Sequence, residues 1–153
     1  MFKFLALIIG LCLYGSACAP LTHNDPLLPK IIELVDHEQI KCLASVIWHE
    51  ARGEKLEGQI AVAETVSSRI SNPKYPKTIC TVAFQPHQFS KLKVIKYDDN
   101  TFLVANRFLS GYYRPVVGEP THYHAVWITP VWAKSRNMTR LARVGNHIFY
   151  REK

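Results

Sequence analysis

A glutamate at the end of an apolar helical segment is the first candidate for chemistry. Glu50 follows a stripe of apolar residues at helical spacing, and Gly53 then ends the segment. The stripe consists of Leu43, Val46, Ile47 and Ala51. Glu50 therefore falls on or near the side that faces a core, where desolvation favours the protonated form that a general acid needs. In the alternative interpretation, Glu50 only pairs with a neighbouring side chain on the surface.

A second acid decides which glycosidic chemistry is open to Glu50. Glycoside hydrolysis uses two carboxyl groups, about 5 Å apart for retention or about 6.5–9.5 Å apart for inversion. A lyase needs only one acid, because a hydroxyl of the substrate is the nucleophile. Spacing singles out none of the available second acids, which are Glu54, Glu57, Glu64, Asp98, Asp99 and Glu119. The sequence therefore slightly favours the one-acid reaction.

Metal and nucleophile chemistry are weaker alternatives. His122 and His124 share one face of a predicted strand, which suits a metal site, and His147 is a third potential ligand. The chain has no His-Glu-x-x-His segment and no cysteine pair with zinc spacing. It also lacks the Gly-x-Ser-x-Gly elbow of a serine nucleophile. We expect no metal and no cofactor, and we interpret the histidines as hydrogen-bonding groups of the sheet or of a polar groove.

Aromatic side chains outnumber the needs of a helical core. With Gln88, Asn106 and Thr121 they would suit a sugar-binding groove by stacking and hydrogen bonding, although each taken singly is as well explained as core. They are Trp48, Phe89, Tyr112, Tyr113, Tyr123, Trp127 and Trp132.

Composition indicates one folded domain with a basic surface. The 153 residues are 48% hydrophobic and 20% charged, with a formal net charge of +7. Such a charge favours polyanions, namely nucleic acid, anionic lipid or anionic wall polymers. Because no basic run is interleaved with aromatics and no helix-turn-helix or zinc-finger spacing occurs, we expect no nucleic-acid partner, and we expect a monomer.

The first residues read as an export signal. Lys3 precedes an apolar stretch over 4–14, and small residues follow up to Cys18, so residues 1–18 are predicted to be a signal peptide. The segment Gly15-Ser16-Ala17-Cys18 resembles a lipobox, which makes Cys18 a lipidation candidate. Ordinary cleavage near Ala17 and an uncleaved anchor are the alternatives. We expect an exported protein, periplasmic or membrane-anchored, that faces the cell wall.

The two remaining cysteines fit an oxidising compartment. Cys42 and Cys80 form an even pair, which predicts one disulfide that would stabilise the fold by about 3–4 kcal/mol. Two buried free thiols are the alternative.

Local patterns predict an α+β domain over residues 37–153 after a proline-rich linker over 19–36. Asp36 is a candidate N-cap for the first helix. Helices are predicted over 37–52, 57–70 and 98–109, with short helical turns within 76–84. Alternating residues predict a strand over 121–127, and turn chemistry at Gly145 followed by an apolar run predicts another up to 150. The expected fold is thus a set of helices followed by a small antiparallel sheet of two or three strands.

Seven segments in this order resemble the SleB/CwlJ-type cell wall hydrolase family. They cover about Cys42 to Tyr150. The motifs are Cys42-Leu43-Ala44-x-x-Ile47-Trp48-x-Glu50-Ala51-Arg52-Gly53-Glu54, Glu57-Gly58-Gln59-x-Ala61-Val62-Ala63, Tyr75-Pro76-x-Thr78-Ile79-Cys80, Gln85-Pro86-x-Gln88-Phe89-Ser90, Thr121-His122-Tyr123-His124-Ala125, Pro130-x-Trp132 and Val144-Gly145-Asn146-His147-Ile148-Phe149-Tyr150.

The resemblance implies a lysozyme-like domain that cleaves the glycan strands of peptidoglycan, in the manner of a lytic transglycosylase. Glu50 falls at the position of the family's catalytic glutamate. Other matched positions are candidates for binding or orienting the substrate, namely Glu54, Gln59, Gln88, Thr121, Tyr123 and His124. Only the predicted signal and linker precede the motifs, without a separate wall-binding domain, which favours general wall remodelling over a spore-cortex role. Muramidase or glucosaminidase hydrolysis and an inactive peptidoglycan-binding lipoprotein are the alternatives.

Overall fold

The computed structural model of the chain describes residues 28–86, 88–89 and 94–153. The chain divides into two compact units, Met1–Asp36 and His37–Lys153, and the second contains the folded domain. The predicted signal peptide, the lipidation candidate Cys18 and the first part of the predicted linker lie outside the described residues. The predicted domain boundaries stay predictions.

The first helix begins earlier than the sequence suggested. Helix α1 covers Leu28–Ala51, so Asp36 lies inside the helix and the prediction of an N-cap there is wrong. The end of the predicted linker, from Leu28 on, is therefore also helical. Pro29 was read as a sign of irregular chain, but a proline in the first turn is compatible with a helix because the amide hydrogen that it lacks would have no intrahelical partner there.

Helix α2 (Leu56–Ser71) is the centre of the core. It is buried along most of its length, from Gly58 to Val66. Alanines at 61 and 63 are completely buried, and such small side chains let neighbouring elements approach closely. Residues 42–47 of α1 supply much of the surface against which this core packs.

Two shorter helices begin with reciprocal caps. Helix α3 (Ile79–Ala83) is capped by Thr78 and Thr81, and α4 (Asp99–Leu109) by Asp98 and Thr101. In both, the first side chain accepts from a backbone N–H while the second reaches back, which satisfies amides that the helix leaves open. The predicted helices of this region are confirmed within a residue or two.

The sheet follows the helices, as predicted. Its strands are β1 (His122–Ala125), β2 (Met138–Val144) and β3 (His147–Glu152), in the antiparallel order β1-β3-β2, and a 3-10 helix covers Val131–Lys134. Sequence analysis missed most of β2, because a bulge between Arg140 and Ala142 interrupts its alternation. Gly145 has φ +55, the backbone that the first position of a tight hairpin turn requires.

The two faces of the sheet have different surroundings. Tyr123, His147 and Phe149 share the inner face, where Phe149 is fully buried among the core residues of the helices. His122, His124 and Tyr150 share the outer face, where the ring of Trp132 contacts all three. The inner face is therefore the one that meets the helices.

A disulfide fastens α1 to α3. Cys42 and Cys80 are joined, with their Cα atoms 5.2 Å apart, which confirms the predicted pair. Because Cys42 lies about two turns before Glu50, the crosslink anchors the helix that carries the candidate acid.

Candidate active site

Glu50 lies in the last turn of α1, near the centre of β1. The hydroxyl of Tyr123 on the inner face of the sheet is inaccessible to solvent. Burial raises the pKa of Tyr123 well above 10, and the negative charge of Glu50 raises it further. The Glu50 carboxyl and the Tyr123 hydroxyl are thus close neighbours at the junction of helix and sheet. Glu50 itself is half-buried, so it keeps access to solvent and to a ligand.

A buried arginine supports Tyr123 from another side. Arg69 of α2 is only 4% exposed, and its Nε donates a 2.8 Å hydrogen bond to the carbonyl oxygen of Thr121. Its guanidinium carbon lies 5.2 Å from the ring centroid of Phe89. Burial lowers the pKa of Arg69, and the positive charge of Arg69 partly offsets the rise in the pKa of Tyr123. The charges of Glu50 and Arg69 therefore act on the pKa of Tyr123 in opposite directions.

Glu54 fastens the α1–α2 loop to the hairpin turn between β2 and β3. One carboxylate oxygen accepts a 3.0 Å hydrogen bond from the Asn146 side-chain amide, and the other accepts a 3.2 Å bond from the Asn146 backbone N–H. A Cβ atom added at Gly145 would collide with this carboxylate. The turn thus needs glycine at 145 both for its positive φ and for the close approach of Glu54. We call these contacts the Glu54–Asn146 clasp.

Gln59 and Gly58 hold the other end of the same loop. The Gln59 side-chain amide donates a 3.1 Å hydrogen bond to the backbone oxygen of Glu54. A Cβ atom at Gly58 would lie 2.8 Å from the Cβ of Glu54, so the loop packs against the start of α2 at a distance that only glycine allows. Gln59 therefore positions Glu54, and through the clasp it positions the hairpin beside Glu50.

Other acids that could have been a second catalytic carboxylate have structural contacts. Glu64 is buried and accepts hydrogen bonds from the backbone N–H groups of Val116, Val117 and Gly118. Asp98 caps α4, and the Thr101 N–H lowers the pKa of its carboxyl.

The three remaining candidate acids lie at exposed positions. Glu119 pairs with Arg151 at 3.2 Å on the surface. Glu57 and Asp99 are exposed in the first turns of α2 and α4, where a carboxylate is favoured by the helix dipole.

His124 and Thr121 hold the strands of the sheet together. The Nδ1 of His124 lies 2.9 Å from the carbonyl oxygen of Ala125, which can only accept, so Nδ1 carries a hydrogen. In the neutral ring, Nε2 then accepts from the Tyr150 hydroxyl at 3.0 Å. The Thr121 hydroxyl accepts from the backbone N–H of Glu152 at 2.9 Å. Both side chains thus orient β1 on β3.

His147 contributes a polar group to the inner face. Its ring packs edge-on against Tyr123, with the centroids 5.2 Å apart. Burial lowers the pKa of His147, and the negative charge of Glu54 opposes that shift. Its Nδ1, the Oε1 of Gln59 and one terminal nitrogen of Arg69 are buried atoms that have no hydrogen-bond partner among the described residues. Buried polar atoms of this kind ordinarily bind water or a ligand.

The aromatic side chains divide between packing and exposure. Phe89 is buried beside Arg69, while Gln88 next to it is exposed. Trp48 lies between two cations, with Arg52 at 4.1 Å and Lys96 at 4.2 Å from its ring centroid. Tyr112 and Trp127 are 70% and 71% exposed. Exposed rings are therefore available at separate places on the surface.

A groove of about 660 Å³ lies away from Glu50, beside the C-terminal half of α2. Its lining includes Ser67, Ser71, Tyr113, Thr121 and Glu152, but not Glu50. The described part of the chain contains no cluster of three or more histidine, cysteine, aspartate or glutamate side chains arranged to hold a metal. No helix within it is long and apolar enough to cross a membrane.

The structure adds residues that sequence reasoning did not select. The sequence predicts Arg69 only as part of a helix, and it assigns Asn146 and His147 no individual role at the site beyond the shared motif. A basic residue on the otherwise buried side of α2 was the available signal for Arg69, because a buried cation needs partners.

Comparison with known proteins gives a consistent result. A family model described as Cell Wall Hydrolase matches residues 53–150, a range that begins just after Glu50. The spore cortex-lytic enzyme of Bacillus subtilis (strain 168) is 26% identical over 118 residues, which are 74% of this chain and 37% of that protein. The spore cortex-lytic enzyme of Halalkalibacterium halodurans is 29% identical over 113 residues, 72% of this chain and 34% of that protein. The chain thus spans little more than a third of the length of these relatives.

Two solved structures share the fold. The catalytic domain of the germination-specific lytic transglycosylase SleB from Bacillus anthracis matches with a TM-score of 0.63 and 24% identity, over 74% of this chain and 93% of that one. The catalytic domain of the Bacillus cereus SleB protein matches with the same TM-score and 23% identity, over 74% of this chain and 89% of that one. The expected α+β, lysozyme-like architecture is confirmed. Since the family model covers well over half of a chain that also has this fold, the protein belongs to the cell wall hydrolase family.

Proposed function

We propose that this protein cleaves the glycan backbone of peptidoglycan as a lytic transglycosylase, with Glu50 as general acid and base. The observation that carries the proposal is the position of Glu50, half-buried at the end of α1 and beside the Tyr123 hydroxyl of the sheet. A relative of the same fold bears the name of a lytic transglycosylase, and the curated relatives bear the name of spore cortex-lytic enzymes.

The contacts of the other acids support a reaction with one carboxyl group. Both oxygens of Glu54 accept hydrogen bonds from Asn146, and both oxygens of Glu64 accept from backbone N–H groups. These bonds give both carboxylates a structural role in holding distant segments of the chain together. A substrate hydroxyl as nucleophile removes the need for a second acid.

In the proposed reaction, protonated Glu50 donates its proton to the oxygen between N-acetylmuramic acid and N-acetylglucosamine. The bond from C1 of the muramic residue to this oxygen breaks, and the N-acetylglucosamine side leaves as an alcohol. The Glu50 carboxylate then takes the proton of the muramic C6 hydroxyl, whose oxygen bonds to C1 and closes a 1,6-anhydro ring. Glu50 regains its proton, so the cycle consumes no water.

The surrounding residues would position Glu50 and the sugar chain. Tyr123 lies beside Glu50, and Arg69 holds the residue that precedes β1 through its bond to Thr121. The Glu54–Asn146 clasp and Gln59 fix the loop that follows α1. Thr121 and His124 keep β1 in register, and the exposed Gln88 is available to a substrate hydroxyl or acetamido group. Positioning of this kind contributes to the rate because the reacting atoms must meet in a narrow range of geometries.

The proposed substrate also sets the location. Peptidoglycan lies outside the cytoplasmic membrane, so the protein would act after export, in agreement with the predicted signal peptide over 1–18 and with Cys18 as a lipidation candidate. We propose a monomer that binds glycan strands, with a lipid anchor as an optional membrane attachment.

Product analysis of purified peptidoglycan tests the proposal. We expect the protein to release muropeptides with 1,6-anhydro ends, detected by mass spectrometry. Glu50→Gln keeps the size of the side chain but cannot donate a proton, and we expect its rate to fall at least about 100-fold. Glu38→Gln is the matched control, because Glu38 is exposed on the same helix and its carboxylate forms a surface ion pair with Lys41.

Other products would reject this assignment. Reducing ends without anhydro sugar would identify muramidase or glucosaminidase hydrolysis. Binding to sacculi without any cleavage would identify a peptidoglycan-binding lipoprotein that lacks activity. Activity that Glu50→Gln retains and a chelator abolishes would point instead to metal-dependent chemistry at the histidines.

A further inference from the structure

The segment that leads from the end of β1 into the 3-10 helix carries an exposed apolar patch. Trp127, Ile128 and Val131 are 71%, 54% and 89% exposed, and they lie in the short segment between β1 and the end of the 3-10 helix. Hydrogen bonds from Ile128 N–H to Ala125 O and from Ala133 N–H to Pro130 O keep this segment compact. Three large apolar side chains are thus exposed within five consecutive residues of an ordered segment, and exposed apolar clusters of this kind commonly mark interaction sites.

The same part of the chain has a one-sided charge. Between Glu119 and Glu152 the sequence contains no acidic residue and five exposed Lys or Arg residues. One of them, Arg151, pairs with Glu119, and the other four are Lys134, Arg136, Arg140 and Arg143. Arg140 pairs in register with Tyr150 and Arg143 with Ile148, and residues opposite each other in a sheet project from the same face. The outer face, which the 3-10 helix covers through Trp132, therefore also carries these two arginines.

We propose that this patch, formed by Trp127, Ile128 and Val131 with the cations around it, docks on an anionic lipid bilayer. An indole and branched aliphatic side chains flanked by Lys and Arg fit the boundary between acyl chains and negatively charged headgroups. Ile128 and Val131 carry no polar atom for a sugar hydroxyl, which argues for lipid over glycan as the occupant.

The placement of the patch is compatible with the proposed activity. Tyr123 and Glu50 belong to the inner side of the sheet, whereas Trp132, which directly follows Val131 of the patch, contacts the outer side. A protein seated by its outer face would keep the Glu50 side free for the wall polymer. Docking through this patch depends only on its exposure and charge, and loss of the cleavage reaction would therefore not affect it.

Brominated lipids test the contact directly in the full chain, because bromine quenches an indole that enters the acyl region. The chain has three tryptophans, at 48, 127 and 132, and none in the apolar N-terminal stretch, so binding through that stretch gives no signal. We expect vesicles of brominated phosphatidylcholine mixed with phosphatidylglycerol to quench part of the fluorescence. Trp127→Phe should remove most of that quenching, while the control Trp48→Phe should leave it in place.

Charge substitutions test the electrostatic half of the proposal. Each cation near an anionic surface favours contact about fivefold, so Lys134→Gln with Arg136→Gln should lower the contact equilibrium constant about 30-fold. Arg107→Gln with Arg114→Gln removes the same charge from exposed positions at the end of α4 and beyond, and should leave quenching unchanged. Added salt should weaken the quenching in parallel.

Three results would overturn the proposal. The first is quenching that Trp127→Phe leaves intact, and the second is equal quenching on neutral and anionic vesicles. The third is that isolated sacculi, but not vesicles, protect Trp127 from quenching by an aqueous quencher such as iodide. That result would identify the wall as the occupant of the patch. Each variant changes an exposed side chain, so near-wild-type far-ultraviolet circular dichroism is expected throughout.

Discussion

The Glu54–Asn146 clasp gives a prediction that separates a structural acid from a catalytic one. Glu54 accepts two hydrogen bonds from Asn146, at 3.0 and 3.2 Å, across a sequence separation of 92 residues. Glu54→Gln replaces one accepting oxygen with an NH₂ group, which then faces an N–H or NH₂ donor of Asn146. One bond is lost, and the charge that strengthens the other disappears.

The expected loss in the free energy of unfolding follows from the type and the exposure of these hydrogen bonds. A hydrogen bond to a charged group contributes about 1.5–3 kcal/mol when it is shielded from water. Asn146 is exposed, so solvent screening reduces the expected loss to about 1–2 kcal/mol for the pair. For a domain of this size, that corresponds to a fall in Tm of about 3–10 °C.

Thermal unfolding and activity are to be measured on the same variants. Glu57→Gln is the control, since it removes the same charge from an exposed position of α2 and should change the free energy of unfolding by less than about 0.5 kcal/mol. A double-mutant cycle with Asn146→Ala should show that the two losses are not additive. Well below its Tm, Glu54→Gln should keep most of the wild-type cleavage activity.

Two results would refute this reasoning. An unchanged Tm would show that the clasp does not stabilise the hairpin. Complete loss of cleavage by a folded Glu54→Gln protein would make Glu54 a second catalytic carboxylate, and hydrolysis would replace the proposed transglycosylase reaction.

Two further predictions concern stability. Cys42→Ser with Cys80→Ser should lower the free energy of unfolding, measured by denaturant titration, by about 3–4 kcal/mol. Reduction of the wild-type protein should have the same effect. An equal denaturation midpoint with and without reductant would mean that the disulfide does not constrain the unfolded chain. Burial lowers the pKa of His147 below its unfolded value of about 6.5, so the unfolded state binds a proton more readily than the folded state. The free energy of unfolding should therefore fall as the pH drops below about 6.5. His147→Gln should make the urea midpoint depend less on pH between about pH 7 and about pH 5, and an unchanged slope would assign the effect to another group.

Local patterns predicted most elements because helices and turns depend on near neighbours. The helices α2 and α4 were visible in spacing alone. The start of α1 was not, because Pro29 is compatible with a helix only in its first turn, and spacing did not show that the turn begins there. Strand β2 was missed, because its bulge breaks the alternation that identifies a strand.

The residues of the candidate site also divide into those that the sequence predicted and those that only tertiary contacts reveal. Sequence spacing and family resemblance selected Glu50, Tyr123 and Glu54 without indicating how they meet. The role of Arg69 was not predictable from the sequence, because it depends on contacts with Thr121 and Phe89, which lie far along the chain.

By itself, the sequence determined an α+β domain, a predicted export signal and a glutamate at the end of an apolar helix. These features follow from periodicity, composition and the chemistry of single residues. Only the tertiary structure decided that Tyr123 lies beside Glu50, that Arg69 binds the carbonyl oxygen of Thr121, and that Glu54 is held by Asn146. The exposure of Trp127, Ile128 and Val131 was likewise decided only there. The physical reason is that these contacts depend on how the sheet packs against α1 and α2, and a docking between distant segments leaves no periodic signal in either one.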